Sequence, residues 1–228
     1  MPACRIGDAD RRNSRTGHFR EYRELFQNGD GQLAQTGAVK GKIYSQLDKM
    51  LCRDRYAIIK ELDRINRADK KGLATGRITN RLQSLEKRAL RSCKRAEERM
   101  AARPHVIYPD NLPISSKKDE IIETIRNQQV VIIVGETGSG KTTQIPKMCI
   151  EAGRGIGGII GCTQPRRIAA VTVAARVAEE FGESLGQSVG YKIRFDDRTE
   201  TGNYIQFMTD GILLMETQSD PYLNSYDT

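Results

Sequence analysis

Val130-Val131-Ile132-Ile133-Val134-Gly135-Glu136-Thr137-Gly138-Ser139-Gly140-Lys141-Thr142 is the stretch on which the reading of this chain turns. Five consecutive β-branched residues with no polar break predict a strand buried on both faces. The next eight satisfy the pattern G-x-x-x-x-G-K-[ST] in full, between that strand and a helix starting at Lys141. The chemistry needs these residue types. Glycines let backbone N–H groups surround phosphate oxygens, and the helix N-terminus adds its positive end. Lys141 is placed to reach the β- and γ-phosphates of a nucleoside triphosphate, and Thr142 to offer its hydroxyl to Mg²⁺. An ordinary glycine-rich turn would need neither the strand nor the Lys-Thr pair. Gly135, Glu136, Thr137, Gly138, Ser139, Gly140, Lys141, Thr142 and Thr143 are therefore the candidate nucleotide-binding residues, with Lys141 and Thr142 as the catalytic candidates.

Downstream, the pattern continues as an α/β succession. Residues 156–162 predict a Gly-rich strand, 167–180 a helix with Ile168, Val171 and Val177 inward, and 188–195 and 204–208 two further strands. A short helix begins at Asp210. Thr163-Gln164-Pro165-Arg166-Arg167 follows a strand, so it shares the phosphate loop's edge of the sheet. Two arginines at a helix start suit a phosphate backbone; a salt-bridged cap explains them equally well.

Upstream, Tyr108-Pro109-Asp110-Asn111-Leu112-Pro113 is a linker. Ser115 or Ser116 is expected to cap a helix over 117–126 that buries Ile121, Ile122 and Ile125. Ile43, Leu47, Leu51, Ile58, Leu62 and Ile65 fall on one helical face, and Ile78, Leu82 and Leu85 begin a second. This predicts a basic helical hairpin over residues 40–105, either a packing appendage or an RNA-contacting surface. Residues 1–39 lack periodicity and are expected to be disordered, with no role assigned.

The net charge of +8 is unevenly placed. Residues 1–105 carry 25 Lys+Arg and 13 Asp+Glu, a net of +12, whereas 106–228 carry 12 and 16, a net of −4. Such asymmetry points toward nucleic acid, though a solvated helix surface produces it too. The five cysteines are scattered, with no C-x-x-C pair, so reduced thiols are expected rather than disulfides or zinc. His18 and His105 have no neighbouring ligand type at metal spacing. No apolar run suits a membrane span and no secretory h-region follows Met1, so a cytoplasmic protein with no membrane partner is expected.

Together these motifs resemble the DEAH-box RNA helicases, most closely the bacterial HrpA-type members. Residues 135–144 resemble motif I and Thr163-Gln164-Pro165-Arg166-Arg167-Ile168-Ala169-Ala170 motif Ia. Val189-Gly190-Tyr191-Lys192-Ile193-Arg194-Phe195 resembles the strand and hook-like turn after it, and Thr209-Asp210-Gly211-Ile212-Leu213-Leu214 motif Ib. The likeness is strong over 106–228, weaker over 43–103 and absent before. It implies the first RecA-like ATP-binding domain of an ATP-driven RNA translocase, using ATP or another NTP with Mg²⁺. It implies single-stranded RNA as partner, read with little sequence preference, and leaves a ribosome or ribonucleoprotein partner open. By the same resemblance Arg176 stacks on the base, while Arg166, Arg167, Arg194, Thr209, Asp210 and Gly211 lie along the RNA path. A surface ion pair with Asp196 or Asp197 is the other reading of Arg194.

The resemblance also marks a departure. Asp-Glu-Ala-His does not occur in the 228 residues, nor do the Ser-Ala-Thr motif and the second RecA-like domain. The expected fold is thus an incomplete α/β P-loop (RecA-like) domain over 106–228, an N-terminal piece ending just before the family motif. It would bind nucleotide but hydrolyse it poorly, and its strand at 130–134 would expose apolar surface. The alternative is a nucleotide-regulated RNA- or partner-binding module without catalysis. A nucleotide kinase or unrelated P-loop ATPase is disfavoured by the segments at 163–170 and 209–214.

Overall fold

The structure, a computed structural model, describes residues 31–70, 75–109 and 111–228. The expectation of disorder over 1–30 lies outside them. Two apolar clusters form the interior, one within the N-terminal helices and one beneath the sheet that follows.

Among the described residues the N-terminal part contains three helices, α1 (Gly31–Gln46), α2 (Cys52–Lys70) and α3 (Thr75–Ala101), rather than the two of the expected hairpin. Helix already begins at Gly31, inside the stretch expected to be disordered, with Thr36 and Lys40 buried ahead of Ile43 and Leu47. Lys40 runs its stem through the bundle and sets its ammonium 2.8 Å from Asp69, which hides it from a search for aliphatic residues. The single face expected over 43–65 breaks at a 3₁₀ turn, Leu47–Lys49. Met50 is buried at this break, and the free Leu51 N–H is satisfied by Ser92 Oγ at 3.1 Å. Ile58, Leu62 and Ile65 then meet Ile78, Leu82, Leu85 and Ala89 of α3. Each fully buried Ile or Leu contributes roughly 1.5–3 kcal/mol.

In the second part, a 3₁₀ turn (Pro113–Lys117) leads into α4 (Lys118–Asn127), which buries Ile121, Ile122 and Ile125 as expected. Neither serine caps it: Ser115 Oγ donates to the Pro109 carbonyl and Ser116 Oγ to that of Pro113, so both serve the preceding turn. There follow α5 (Lys141–Glu151), β1 (Ile160–Gln164), α6 (Arg167–Phe181), β2 (Val189–Ile193), β3 (Asp196–Arg198), β4 (Ile205–Thr209) and α7 (Asp210–Ser219). The sheet order is β1-β4-β2-β3. β4 pairs in parallel with both β1 and β2, and only the short β3 is antiparallel. The strand expected at 156–162 is shifted toward Gln164 because Gly157 and Gly158 are taken up in a turn against the chain end. A Cβ at Gly158 would sit 2.8 Å from the Ser225 carbonyl oxygen. There Ile159 forms a parallel bridge with Tyr226, and the Asp227 carboxylate accepts from the N–H groups of Gly155 and Gly157 at 2.7 and 3.2 Å.

In α6 the inward face is Ala170, Ala174, Val177 and Ala178, while Ile168 points outward, against expectation. The helix lies close to the sheet, so its contact face is built from small side chains; Ile168 sits in the first turn beyond that contact.

The 130–134 segment departs from the expectation of a strand buried on both faces, while its exposed apolar surface is as expected. It forms no strand, with Val130 in a bend, and none of the described strands is hydrogen-bonded to it. Val131 and Ile133 pack against the core, whereas Val130, Ile132 and Val134 are 79, 87 and 91% exposed. Burial on both faces requires sheet neighbours; without them the period of two leaves every second side chain in water, with open backbone groups alongside. Ile132→Lys is expected to lower self-association in light scattering, with the urea midpoint shifted by no more than about 0.5 kcal/mol equivalent. Ile133→Lys, at a side chain packed against the core, is expected to destabilise instead.

Candidate nucleotide-binding site

The glycine-rich loop closes over the start of α5. Gly138 and Gly140 have φ of 83° and 92°, in the left-handed region that suits glycine. At Gly140 space adds a second constraint, since a Cβ would lie 2.9 Å from Leu112 Cδ1 and 3.2 Å from Ile114 Cγ2. The linker is thereby pressed against the loop, and the Ile114 N–H donates to the Ser139 carbonyl at 3.2 Å. Lys141 folds back into the loop, donating to the carbonyls of Gly135 and Glu136 at 2.5 Å each and to Ser139 Oγ at 3.3 Å. Thr142 is exposed, and Thr143 Oγ1 donates to the Gly140 carbonyl at 3.1 Å.

A groove of about 530 Å³ opens over this loop, lined by Thr137, Gly138, Gly140, Lys141, Thr142 and Thr143 on one side and by Arg176 and Glu180 of α6 on the other. The volume falls in the range of small-molecule sites. Arg176, some 35 residues downstream, is thus brought to the mouth of the same groove as the loop. It is ion-paired to Glu180 through Nε (3.0 Å) and to Glu179 through Nη1 (2.9 Å).

Behind the groove lies a polar cluster that sequence reasoning missed. Lys147 is fully buried in α5; its ammonium is paired with Glu180 Oε2 and donates to the Ile107 carbonyl at 3.1 Å. Gln144 Nε2 donates to the same Glu180 oxygen at 2.9 Å and to Thr143 Oγ1 at 2.9 Å. Burial alone would raise the Glu180 pKa, but hydrogen bonds from Lys147 and Gln144 and the charge of Lys147 outweigh it, and the net shift is downward. A depressed carboxylate pKa stabilises the fold above the ordinary carboxylate range and loses that contribution as pH falls through the folded value. The i,i+4 spacing of Arg176 and Glu180 was a signal available in the sequence; nothing local marks Lys147 as buried.

The candidate RNA residues gather on one edge. β1, β4 and β2 run parallel, with Gln164 in register with Thr209, so their carboxyl ends share a side of the sheet. Arg166 and Arg167 leave β1 there, at the N-terminus of α6, and Thr209, Asp210 and Gly211 leave β4 there, at the start of α7. All but Thr209 are exposed. Arg194 occupies the β2–β3 turn, its guanidinium 5.0 Å from the ring of Phe195, a residue with φ of 73°. Asp196 instead receives the Tyr191 hydroxyl and pairs with Arg198, and Asp197 accepts from Thr199.

Among the described residues, no group of three or more His, Cys, Asp or Glu could hold a metal ion, and no helix is long and apolar enough to cross a membrane. Cys52, Cys93, Cys149 and Cys162 are not in disulfides; burial pushes Cys149 up to about 11.

No family model matches the chain. It is 48% identical over 186 residues to the ATP-dependent RNA helicase HrpA of Escherichia coli K12, covering 82% of this chain and 14% of that protein. It is 43% identical over 184 residues to the HrpA homolog of Haemophilus influenzae, again 14% of the relative's length. Over 117 residues it is 55% identical to the pre-mRNA-splicing factor ATP-dependent RNA helicase DEAH10 of Arabidopsis thaliana, covering 51% of this chain and 16% of the relative. The chain spans about a seventh of the length of these relatives, and with the loop, the residues around Arg166 and the turn after β4 in this order it belongs to the HrpA-type DEAH-box helicases.

Proposed function

We propose that this chain is the ATP-binding portion, a RecA-like P-loop domain over 106–228 with a basic helical extension over 40–105, of a helicase that couples ATP hydrolysis to movement along RNA. The observation that carries the reading is the shared groove: a glycine-rich loop with its lysine on one wall, a stackable guanidinium on the other. The names of the relatives, all ATP-dependent RNA helicases, support the activity and the RNA substrate. The cytoplasm is a compartment, and a ribosome or other ribonucleoprotein a partner, consistent with this reading.

The residues present fit a magnesium nucleotide. Lys141 Nζ donates to three oxygens of the loop, and its ammonium N–H groups are the donors a phosphate would engage. The exposed Thr142 hydroxyl is free to face a cation, and the loop N–H groups lie at the positive end of α5. When bound, Mg²⁺ neutralises charge on the phosphate oxygens. The chain's own part is to bind and orient: Gly138 and Gly140 allow close approach, Lys141 holds phosphate charge, and Arg176 offers a planar face to the base. On the sheet edge, Arg166, Arg167, Arg194 and the α7 start with Thr209, Asp210 and Gly211 form a line for the backbone of single-stranded RNA, with helix N-termini favouring phosphate. Little on that edge reads base identity.

Asp-Glu-Ala-His is absent from these 228 residues, so the polypeptide is expected to bind nucleotide with little turnover. The test is a titration of a fluorescent ATP analogue beside ATP hydrolysis with and without single-stranded RNA. Binding with negligible turnover fits the proposal. RNA-stimulated turnover would show that other groups orient the attacking water, and RNA binding without nucleotide binding would favour a non-catalytic RNA module.

A further inference from the structure

We infer that Glu180 is a positioning residue of the nucleotide groove, a carboxylate pinned by the buried Lys147 and Gln144 that holds the Arg176 guanidinium as an oriented platform for a nucleotide base. This rests on the nucleotide-site reading above and extends it to residues that have no contact with phosphate.

The two oxygens of Glu180 divide the work. Oε2 faces inward and takes the Lys147 ammonium and the Gln144 amide, while Oε1 faces the groove and takes Arg176 Nε. The inward half is rigid, because Lys147 is 0% exposed and a buried ammonium must keep its partners. An exposed i,i+4 ion pair by itself fixes a long side chain poorly. Here the acidic member cannot move, so the flexible partner inherits its position. Glu179 binds Nη1 of the same guanidinium at 2.9 Å. Hydrogen bonds to Nε and Nη1 lie in the guanidinium plane, which leaves its faces open for stacking. Arg176 is 59% exposed and lines the groove opposite Lys141. The same cluster reaches Thr143 through Gln144 and the linker through the Ile107 carbonyl, so the base platform is braced against the helix that presents the phosphate loop.

The chemistry of a Glu180→Gln variant makes the inference testable. Glutamine has one acceptor oxygen, and the buried ammonium of Lys147 claims it. The amide NH₂ then faces Arg176 Nε, donor against donor, and the guanidinium is released. The measurement is calorimetric titration of the chain with ATP and, separately, with inorganic tripolyphosphate, both with Mg²⁺. Glu180→Gln is expected to weaken ATP binding roughly three- to tenfold, the range of a lost cation–base stack, with tripolyphosphate affinity unchanged. In an Arg176→Ala background the same substitution is expected to add nothing. Adding Lys147→Met frees the glutamine oxygen to turn toward Arg176 and is expected to recover ATP affinity; it also removes the unpaired buried charge should the single variant fold poorly.

Equal weakening of ATP and tripolyphosphate, an undiminished effect without Arg176, or no change in ATP affinity would each overturn the positioning role, leaving Glu180 as a structural counter-ion. Failure of the wild-type chain to bind either ligand would overturn the nucleotide site itself, and the positioning role with it.

Discussion

Lys141→Ala is expected to abolish nucleotide-dependent thermal stabilisation while leaving the melting curve of the free protein close to that of the wild type. A ligand at one hundred times its dissociation constant stabilises a fold by about 2.7 kcal/mol. For a chain of this size that corresponds to a rise in Tm of roughly 5–10 °C. The reason for the asymmetry is local. Lys141 Nζ contacts only the loop it serves, the carbonyls of Gly135 and Glu136 and Ser139 Oγ, so its removal costs the free fold little. With phosphate present, it is the lysine positive charge of the loop. Thermal melts of both proteins with and without Mg-ATP decide the matter, and equal stabilisation of the two would remove the nucleotide assignment.

Arg99→Ala is expected to destabilise the chain by roughly 3–5 kcal/mol and to loosen the N-terminal helices from the sheet. Arg99 closes α3, and its guanidinium enters the second part of the molecule. It donates to the carbonyls of Gly155 (2.6 and 3.2 Å), Asn203 (3.0 Å) and Gly158 (3.3 Å), and lies 4.5 Å from the Tyr204 ring centre. The Tyr204 hydroxyl returns a bond to the Arg99 carbonyl, and the Cys52 N–H adds one to Gly157 at 2.7 Å. Truncation strands several half-buried carbonyls at once, and bonds to a charged group are each worth about 1.5–3 kcal/mol. Urea unfolding should show a lowered midpoint, and limited proteolysis should cut first between α3 and α4. An unchanged midpoint would mean the helices are held by other contacts. The same geometry packs the basic helices through Arg99 onto the Gly155–Gly158 turn.

Periodicity and motif order made much of this molecule legible in the sequence. The glycine-rich loop, the helix after it and the burial of Ile121, Ile122 and Ile125 are local consequences of residue type and spacing and stand as read, and the strands read at 188–195 and 204–208 lie at 189–193 and 205–209. Placing Arg166 and Gly211 on one edge needed only that strands joined by helices run parallel. What failed were readings that depended on neighbours. The apolar run at 130–134 has the composition of a doubly covered strand, but covering is supplied by other segments, and here only Val131 and Ile133 find any. Lys147 reads as one more surface charge, yet α6 places Glu180 beside it as the partner of a fully buried ammonium behind the groove. Thus sequence alone determined the family and the position of the glycine-rich loop, because both reside in contiguous residues whose backbone freedom and side-chain groups act locally. Tertiary structure alone decided which charges are buried and how they pair, because burial and pairing are properties of two segments meeting in space.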